Sequence, residues 1–203
     1  MEFQKIKEAI FIFAYNEALD DATRQRAFLG KKDEVKQNIK ARDLVKKYID
    51  AMITGTRLNF YETVQKVETA IGIKDFTFGN VQKLVNMTVK YFFISCYCDI
   101  RLRSAFDQAH CPMDREMKDT VFASYKEAVE KENAPQELMI FVNEKGKESM
   151  AWPSLSWSGI TREYVDLYPE NNAYARFQAM VTYLAGKKGL SPIEYDYLKW
   201  KNP

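Results

Sequence analysis

Apolar residues recur at helical intervals along most of the chain. In residues 3–18 the apolar stripe consists of Phe3, Ile6, Ile10, Phe13 and Ala14, the pattern of an amphipathic helix. Similar patterns predict helices over 34–53, 59–71, 79–98, 113–131, 135–143, 161–167, 171–186 and 191–200. No segment shows the alternation of apolar and polar residues that is typical of a strand, and residues 144–160 are predicted to form a loop. The chain is therefore predicted to be all-α.

Several helix ends are marked by particular residues. Gly55 and Gly72 each follow an apolar helical run and are predicted to end it. Ser191, Pro192 and Glu194 form the pattern of a capping box with proline at the first helical position. The helix over 79–98 is apolar on most faces, and so it is predicted to be the most buried.

A short connection, 69–82, joins the helix that ends at Gly72 to the one that opens at Gly79. Such a hairpin can present backbone amides and a helix N-terminus to a phosphate. On this pattern alone, an ordinary helix–helix connection is the better interpretation. The whole chain is predicted to be one unit with two helical subdomains flanking a cleft, 34–110 and 1–33 plus 111–203.

Composition narrows the class of protein only in part. A length of 203 residues with 46% hydrophobic residues indicates a folded chain with a sizeable core. The net charge of +2 neither requires nor excludes a nucleic-acid partner. Three cysteines, no cleavable apolar leader and no apolar run long enough to cross a bilayer predict a cytoplasmic protein with reduced thiols. We expect no cofactor, no metal and no membrane partner, and we expect a monomer.

Two residues stand out as candidates for covalent chemistry. Lys83 enters the predicted buried helix, and Asp114 follows Pro112 and Met113 about thirty residues later at the start of another helix. An amine can act as a nucleophile when an acid/base partner lies nearby. Each has an ordinary alternative, a solvated surface lysine for Lys83 and a helix cap for Asp114. His110 is the single histidine and is more often structural than catalytic in such a loop.

These residues also form a pattern that resembles a known family. The run Gln82-Lys83, followed by Thr88-Val89-Lys90, together with Pro112-Met113-Asp114, is similar to the archaeal 8-oxoguanine DNA glycosylases of the helix–hairpin–helix superfamily. The closing segment from Gln178 to Trp200 resembles the end of that family without a gap. The resemblance covers about 72–114 and 174–200, is faint over 1–71 and is absent over 130–160.

The resemblance implies a DNA glycosylase that extrudes a damaged base, breaks its bond to the sugar and cleaves the strand through a lysine imine. It implies that Lys83 is the nucleophile and Asp114 the acid/base group, and that Asp196 contacts the base while Trp200 stacks on it. Met87 and Phe60 are further candidates for binding the base. The candidates for contacting DNA are Gly79, Lys90, Arg101, Arg103 and His110.

The chain departs from the family near the base pocket. Met87 stands where the family has an aromatic residue, a glycine-rich hairpin signature is lacking, and 144–160 with Trp152 and Trp157 has no counterpart. The substrate implied by the resemblance is 8-oxoguanine. A hypermodified base of phage DNA, such as glucosylated hydroxymethylcytosine, is the alternative substrate and implies a role in phage defence. A non-catalytic helical module that binds nucleic acid or protein is the alternative of another class, and a helical ribonuclease is a weaker one.

Overall fold

A computed structural model of the chain describes residues 2–24, 31–97, 99–143, 145–150 and 156–201. Within helices it leaves undescribed the side chains of residues 2–4, 100, 101, 200 and 201. Cys98 and Trp152 lie outside the described residues. The fold is predominantly helical and divides into two compact units between Ala109 and His110.

The first unit is built around two long helices that pack on each other, α1 and α5. Its helices are α1 (Glu2–Thr23), α2 (Lys32–Gln37), α3 (Ile39–Ile53), α4 (Phe60–Ile71), α5 (Phe78–Ser95) and α6 (Ile100–Arg103), followed by a 3-10 turn at Ser104–Phe106. Helix α4 packs on both α3 and α5. The helix predicted over 34–53 is broken at Asn38. The Asn38 side chain accepts a hydrogen bond from the Ala41 N–H (2.9 Å) and donates one to the Ala70 carbonyl (2.6 Å), and so it starts a new helix.

The second unit is formed mainly by three helices, because α9 packs on both α7 and α10. Its elements are α7 (Arg115–Glu132), β1 (Phe141–Val142), β2 (Glu148–Ser149), α8 (Arg162–Leu167), α9 (Ala173–Gly186) and α10 (Pro192–Lys201), with 3-10 turns at Gln136–Met139 and Trp157–Gly159. The two short strands pair antiparallel, with Phe141 opposite Ser149.

The helix predicted over 135–143 is wrong. This segment is a 3-10 turn followed by β1, and the backbone of β1 bonds to distant residues. The Val142 N–H donates to the Asn171 carbonyl (3.0 Å), and the Val142 carbonyl accepts from the Tyr164 hydroxyl (2.6 Å). These tertiary hydrogen bonds outweigh the weak helical pattern of nine residues.

The division into units also differs from the expected subdomains. Residues 1–33 were expected to join 111–203, but α1 packs along α5 and so belongs with the first unit. Buried α1 residues such as Phe11, Ala14 and Leu19 supply the core of that unit. The boundary after Ala109 lies next to the expected one at residue 110.

The predicted helix ends are confirmed at three places. Gly72 follows α4 in the left-handed conformation (φ 67°), which glycine adopts without steric cost, and Gly55 does the same after α3 (φ 73°). At the start of α10 the Ser191 N–H donates to the Glu194 carboxylate (3.0 Å), and the Glu194 N–H donates to the Ser191 hydroxyl (3.4 Å). This is the reciprocal pair of a capping box.

In the described part of the chain, Cys96 is half-buried and Cys111 is buried, and neither forms a disulfide. None of the helices in the described ranges has the length and apolarity needed to cross a bilayer.

Candidate functional site

Lys83 holds a distinctive position on α5. It is the only residue between Phe78 and Lys90 that is not buried. Its neighbours Leu84 and Val85 are fully buried, because they lie on the faces of α5 that pack in the core of the first unit. The Lys83 side chain is half-buried, although its helix is otherwise buried over this stretch. Nucleophilic attack needs a neutral amine.

Two buried amides lie beside Lys83 and form a short hydrogen-bonded ladder along α5. The Asn86 side-chain amide donates to the Gln82 side-chain oxygen (3.1 Å), and the Gln82 amide donates to the Gly79 carbonyl (3.0 Å). Gln82 precedes Lys83 and Asn86 follows it by one turn, and both are buried. Because buried polar groups are held by their hydrogen bonds, the polar surroundings of Lys83 are fixed in orientation.

Two of the expected DNA contacts are not available on the first unit. Gly79 is buried at the start of α5, and the Lys90 side chain is only 4% exposed. Neither presents a group to solvent in this structure, which argues against the phosphate contacts expected of them. Arg103 is half-buried, with its guanidinium 4.4 Å from the centre of the Tyr97 ring, and the side chain of Arg101 lies outside the description.

The two base-binding candidates of the first unit are core residues. Phe60 is 6% exposed, and its ring meets Tyr48 and Tyr61 edge to face at 6.1 and 5.8 Å between ring centres. Met87 is also 6% exposed. Phe60 therefore serves the packing of α4 against α3, a role that its aromatic character alone could not distinguish from base stacking.

Asp114 caps α7 in the second unit. Its Oδ1 accepts the Met117 N–H (2.9 Å), the structural role that the sequence left open. Within the described residues the carboxylate makes no other side-chain hydrogen bond or ion pair. The carboxylate is half-buried. The hydrogen bond from Met117 orients it through Oδ1, and Oδ2 is the oxygen that could accept a proton.

The loop before Asp114 is held on α9 by Gln178. The Gln178 side chain accepts from the Cys111 N–H (3.1 Å) and donates to the Cys111 carbonyl (2.7 Å). These two bonds fix the backbone three residues before Asp114. One sign of this contact is visible in the sequence, a polar residue next to the apolar Phe177 on the buried part of α9.

His110 lies in the same loop and hydrogen-bonds with Tyr174 of α9, with 2.9 Å between Nδ1 and the hydroxyl oxygen. Desolvation lowers the pKa of His110 from its usual 6.5 to about 4. The imidazole is therefore neutral at pH 7 and brings no positive charge to a DNA phosphate. This argues for the structural role of His110 over the expected DNA contact.

Asp196 is fully buried on α10, between Tyr195 and the half-buried Tyr197 in sequence. A carboxylate at this depth requires partners. Its burial also differs from the surface position that the helical pattern alone predicts for Asp196. Trp200 lies on the last turn of α10, and its side chain is outside the description.

The candidate residues are thus divided between the two units. Lys83, Met87, Lys90 and Phe60 belong to the first, and Asp114, His110 and Asp196 belong to the second. The chain matches no known protein family, no curated protein and no solved structure.

Proposed function

We propose that this protein is a DNA glycosylase with abasic-site lyase activity, in which Lys83 is the nucleophile. One observation carries the proposal. Lys83 is half-buried, whereas every other residue from Phe78 to Lys90 of α5 is buried. An amine that must be partly desolvated and still reach a substrate needs such a position.

The proposed reaction begins with attack of the neutral Lys83 amine on C1′ of the deoxyribose. The bond between C1′ and the base breaks, and the base leaves with one proton of the amine. The C1′–O4′ bond then breaks as the ring opens and O4′ takes the second proton, so that an imine joins Lys83 to the opened sugar. Loss of a proton from C2′ then expels the 3′ phosphate and cleaves the strand. The imine is finally hydrolysed by water, which releases the lysine.

Asp114 is the proposed acid/base group. Its cap to Met117 fixes the carboxylate at the start of α7, and the Gln178 bonds fix the preceding loop. An oriented carboxylate can accept the proton of the Lys83 amine and stabilise the cationic sugar. The fold that this proposal implies is that of the helix–hairpin–helix glycosylases, with the connection between α4 and α5 as the hairpin.

The proposed partner is DNA with an extruded base, and the substrate by resemblance is 8-oxoguanine. The alternative substrate is a hypermodified base of phage DNA, because Met87 replaces an aromatic residue near Lys83. A mass-spectrometric survey of bases released from oxidised, alkylated and phage-modified DNA distinguishes the two.

A non-catalytic helical module is the competing function, and the capping role of Asp114 favours it. Borohydride reduction in the presence of DNA that contains an abasic site separates the two functions. The enzyme forms a covalent adduct that Lys83→Gln abolishes and that Lys66→Gln retains, since Lys66 is an exposed lysine of α4. Absence of an adduct with wild type, together with absence of any base release, contradicts the enzyme. Base release without an adduct contradicts only the lysine imine.

A further inference from the structure

Two lysines of the second unit converge on one buried aromatic ring. The Lys188 ammonium lies 5.6 Å from the centre of the Tyr195 ring, and the Lys199 ammonium lies 5.8 Å from the same centre. Tyr195 is 2% exposed. Its ring is therefore held in the core of the second unit, and both positive charges lie within 6 Å of its centre.

The two lysines line a hollow with Tyr195 and Leu198. Its volume is about 230 Å³, and since a water occupies about 30 Å³ of the liquid, the hollow has room for a phosphate group and its waters. Leu198 is 44% exposed and gives the hollow an apolar side. Among the described residues, the lining contains no carboxylate.

Lys188 and Lys199 differ from nearby lysines in their distance from carboxylates. Lys187 pairs with Glu132, and Lys131 lies 2.8 Å from Glu127. Within the described part of the chain, no carboxylate lies within 4 Å of the Lys188 or Lys199 ammonium. Both lysines line the same hollow, and so an anion held there is attracted by two positive charges.

We propose that Lys188 and Lys199, beside the Tyr195 ring, form a binding site for a backbone phosphate of nucleic acid. Lysine binds phosphate as a point charge through three donors, and neither lysine takes part in the chemistry proposed for Lys83. The inference rests on the proposed function only in taking DNA as the partner. It assigns Lys188, after α9, and Lys199, in the last turn of α10, to the contact with the DNA backbone.

The competing explanation is structural. Lys188 follows the C-terminus of α9, and Lys199 lies in the last turn of α10, where positive charges stabilise a helix. A structural role predicts a change in the free energy of unfolding and no change in the salt dependence of DNA binding. The two explanations are therefore separated by a binding measurement at several salt concentrations.

The test measures the affinity of the full chain for undamaged duplex DNA by fluorescence anisotropy. Each phosphate contact contributes about 0.9 to the slope of log K against log salt. We expect Lys188→Gln/Lys199→Gln to lower that slope by about 1–2 and to weaken binding roughly tenfold or more at about 100 mM salt. The control Lys126→Gln/Lys131→Gln removes the same charge from lysines that face carboxylates of α7 and is expected to leave the slope unchanged.

A slope that is equal in the two double variants overturns the site. So does a result in which inorganic phosphate shifts the NMR signals of Lys188 and Lys199 while the DNA slope stays that of wild type, since the site then serves free phosphate. Lys188→Arg/Lys199→Arg retains the charges and is expected to keep the wild-type slope. Because undamaged DNA undergoes no base release, a failure of the Lys83 chemistry leaves this result intact.

Discussion

Substitution of Asp114 separates its structural role from its proposed catalytic one. Asp114→Asn keeps an oxygen in the position of Oδ1, which accepts the Met117 N–H at 2.9 Å, and asparagine caps helices about as well as aspartate. Only the negative charge is lost, at a cost of about 0.3–1 kcal/mol in the free energy of unfolding from its interaction with the helix dipole. Asp114→Ala loses the cap as well, for a total of about 1–3 kcal/mol.

The effect on the reaction is expected to be the same in both variants. A positioned acid/base group contributes about 10²–10⁴ to a rate, or about 3–5 kcal/mol of barrier. Both variants are therefore expected to cleave DNA at an abasic site about 10²–10⁴ times more slowly under single-turnover conditions, although only the alanine variant is substantially less stable. Urea denaturation measures the stability of each.

Asp119→Asn is the matched control. It removes a carboxylate from the same helix, where Asp119 is exposed and lies 3.2 Å from Lys118, and it is expected to change stability by less than about 0.5 kcal/mol and to leave the rate unchanged. If Asp114→Asn cleaves as fast as wild type while Asp114→Ala is destabilised, Asp114 is a cap and nothing more.

Three further predictions concern the second unit. Tyr164→Phe removes a buried hydroxyl that bonds two backbone groups, at 2.6 and 2.9 Å, and is expected to cost about 2–4 kcal/mol in urea denaturation. Gln178→Leu leaves the buried Cys111 N–H and carbonyl without their partner, and a similar loss is expected. The His110 pKa is about 4 in the folded protein against an ordinary 6.5, and so unfolding binds a proton. Stability present above pH 6.5 is therefore lost as the pH falls towards 4, by about 2–3 kcal/mol, and His110→Gln is expected to reduce that loss.

Controls for these predictions come from the same unit. Tyr168→Phe alters a tyrosine next to Tyr164 in space, with 5.9 Å between ring centres, and a loss as large as that of Tyr164→Phe would refute the hydrogen-bond explanation. For His110, the difference between wild type and variant isolates the imidazole from the carboxylates that titrate at the same pH. An equal loss of stability in both proteins would show that the His110 pKa is ordinary.

The sequence predicted the helices well because their apolar positions and caps are local features. The capping box at Ser191 and the end of α4 at Gly72 depend on residues within one turn, and both are present in the structure. The strand at Phe141–Val142 was missed because two residues are too few to show alternation, and because its backbone bonds go outside the segment, to β2 and to Asn171 and Tyr164. No periodicity within the segment could reveal them.

The environments of individual side chains were harder to predict. Lys83 and Lys90 are seven residues apart and face nearly the same direction, yet Lys83 is half-buried while Lys90 is 4% exposed. They differ because about 10 Å of helix separates them and the packing around α5 changes over that distance. The positions of Lys188 and Lys199 were missed for a related reason. They are eleven residues apart, and the fold brings both of them to the Tyr195 ring.

The most direct test of the account is to locate the lysine that reacts with an abasic site. The trapped adduct is digested with trypsin and its peptides are identified by mass spectrometry. A modified Lys83 blocks cleavage after itself, and so the account predicts an adduct on the single peptide that runs from Asp75 to Lys90. An adduct confined to any other lysine, with the 75–83 and 84–90 peptides recovered unmodified, would contradict the assignment of Lys83 as the nucleophile.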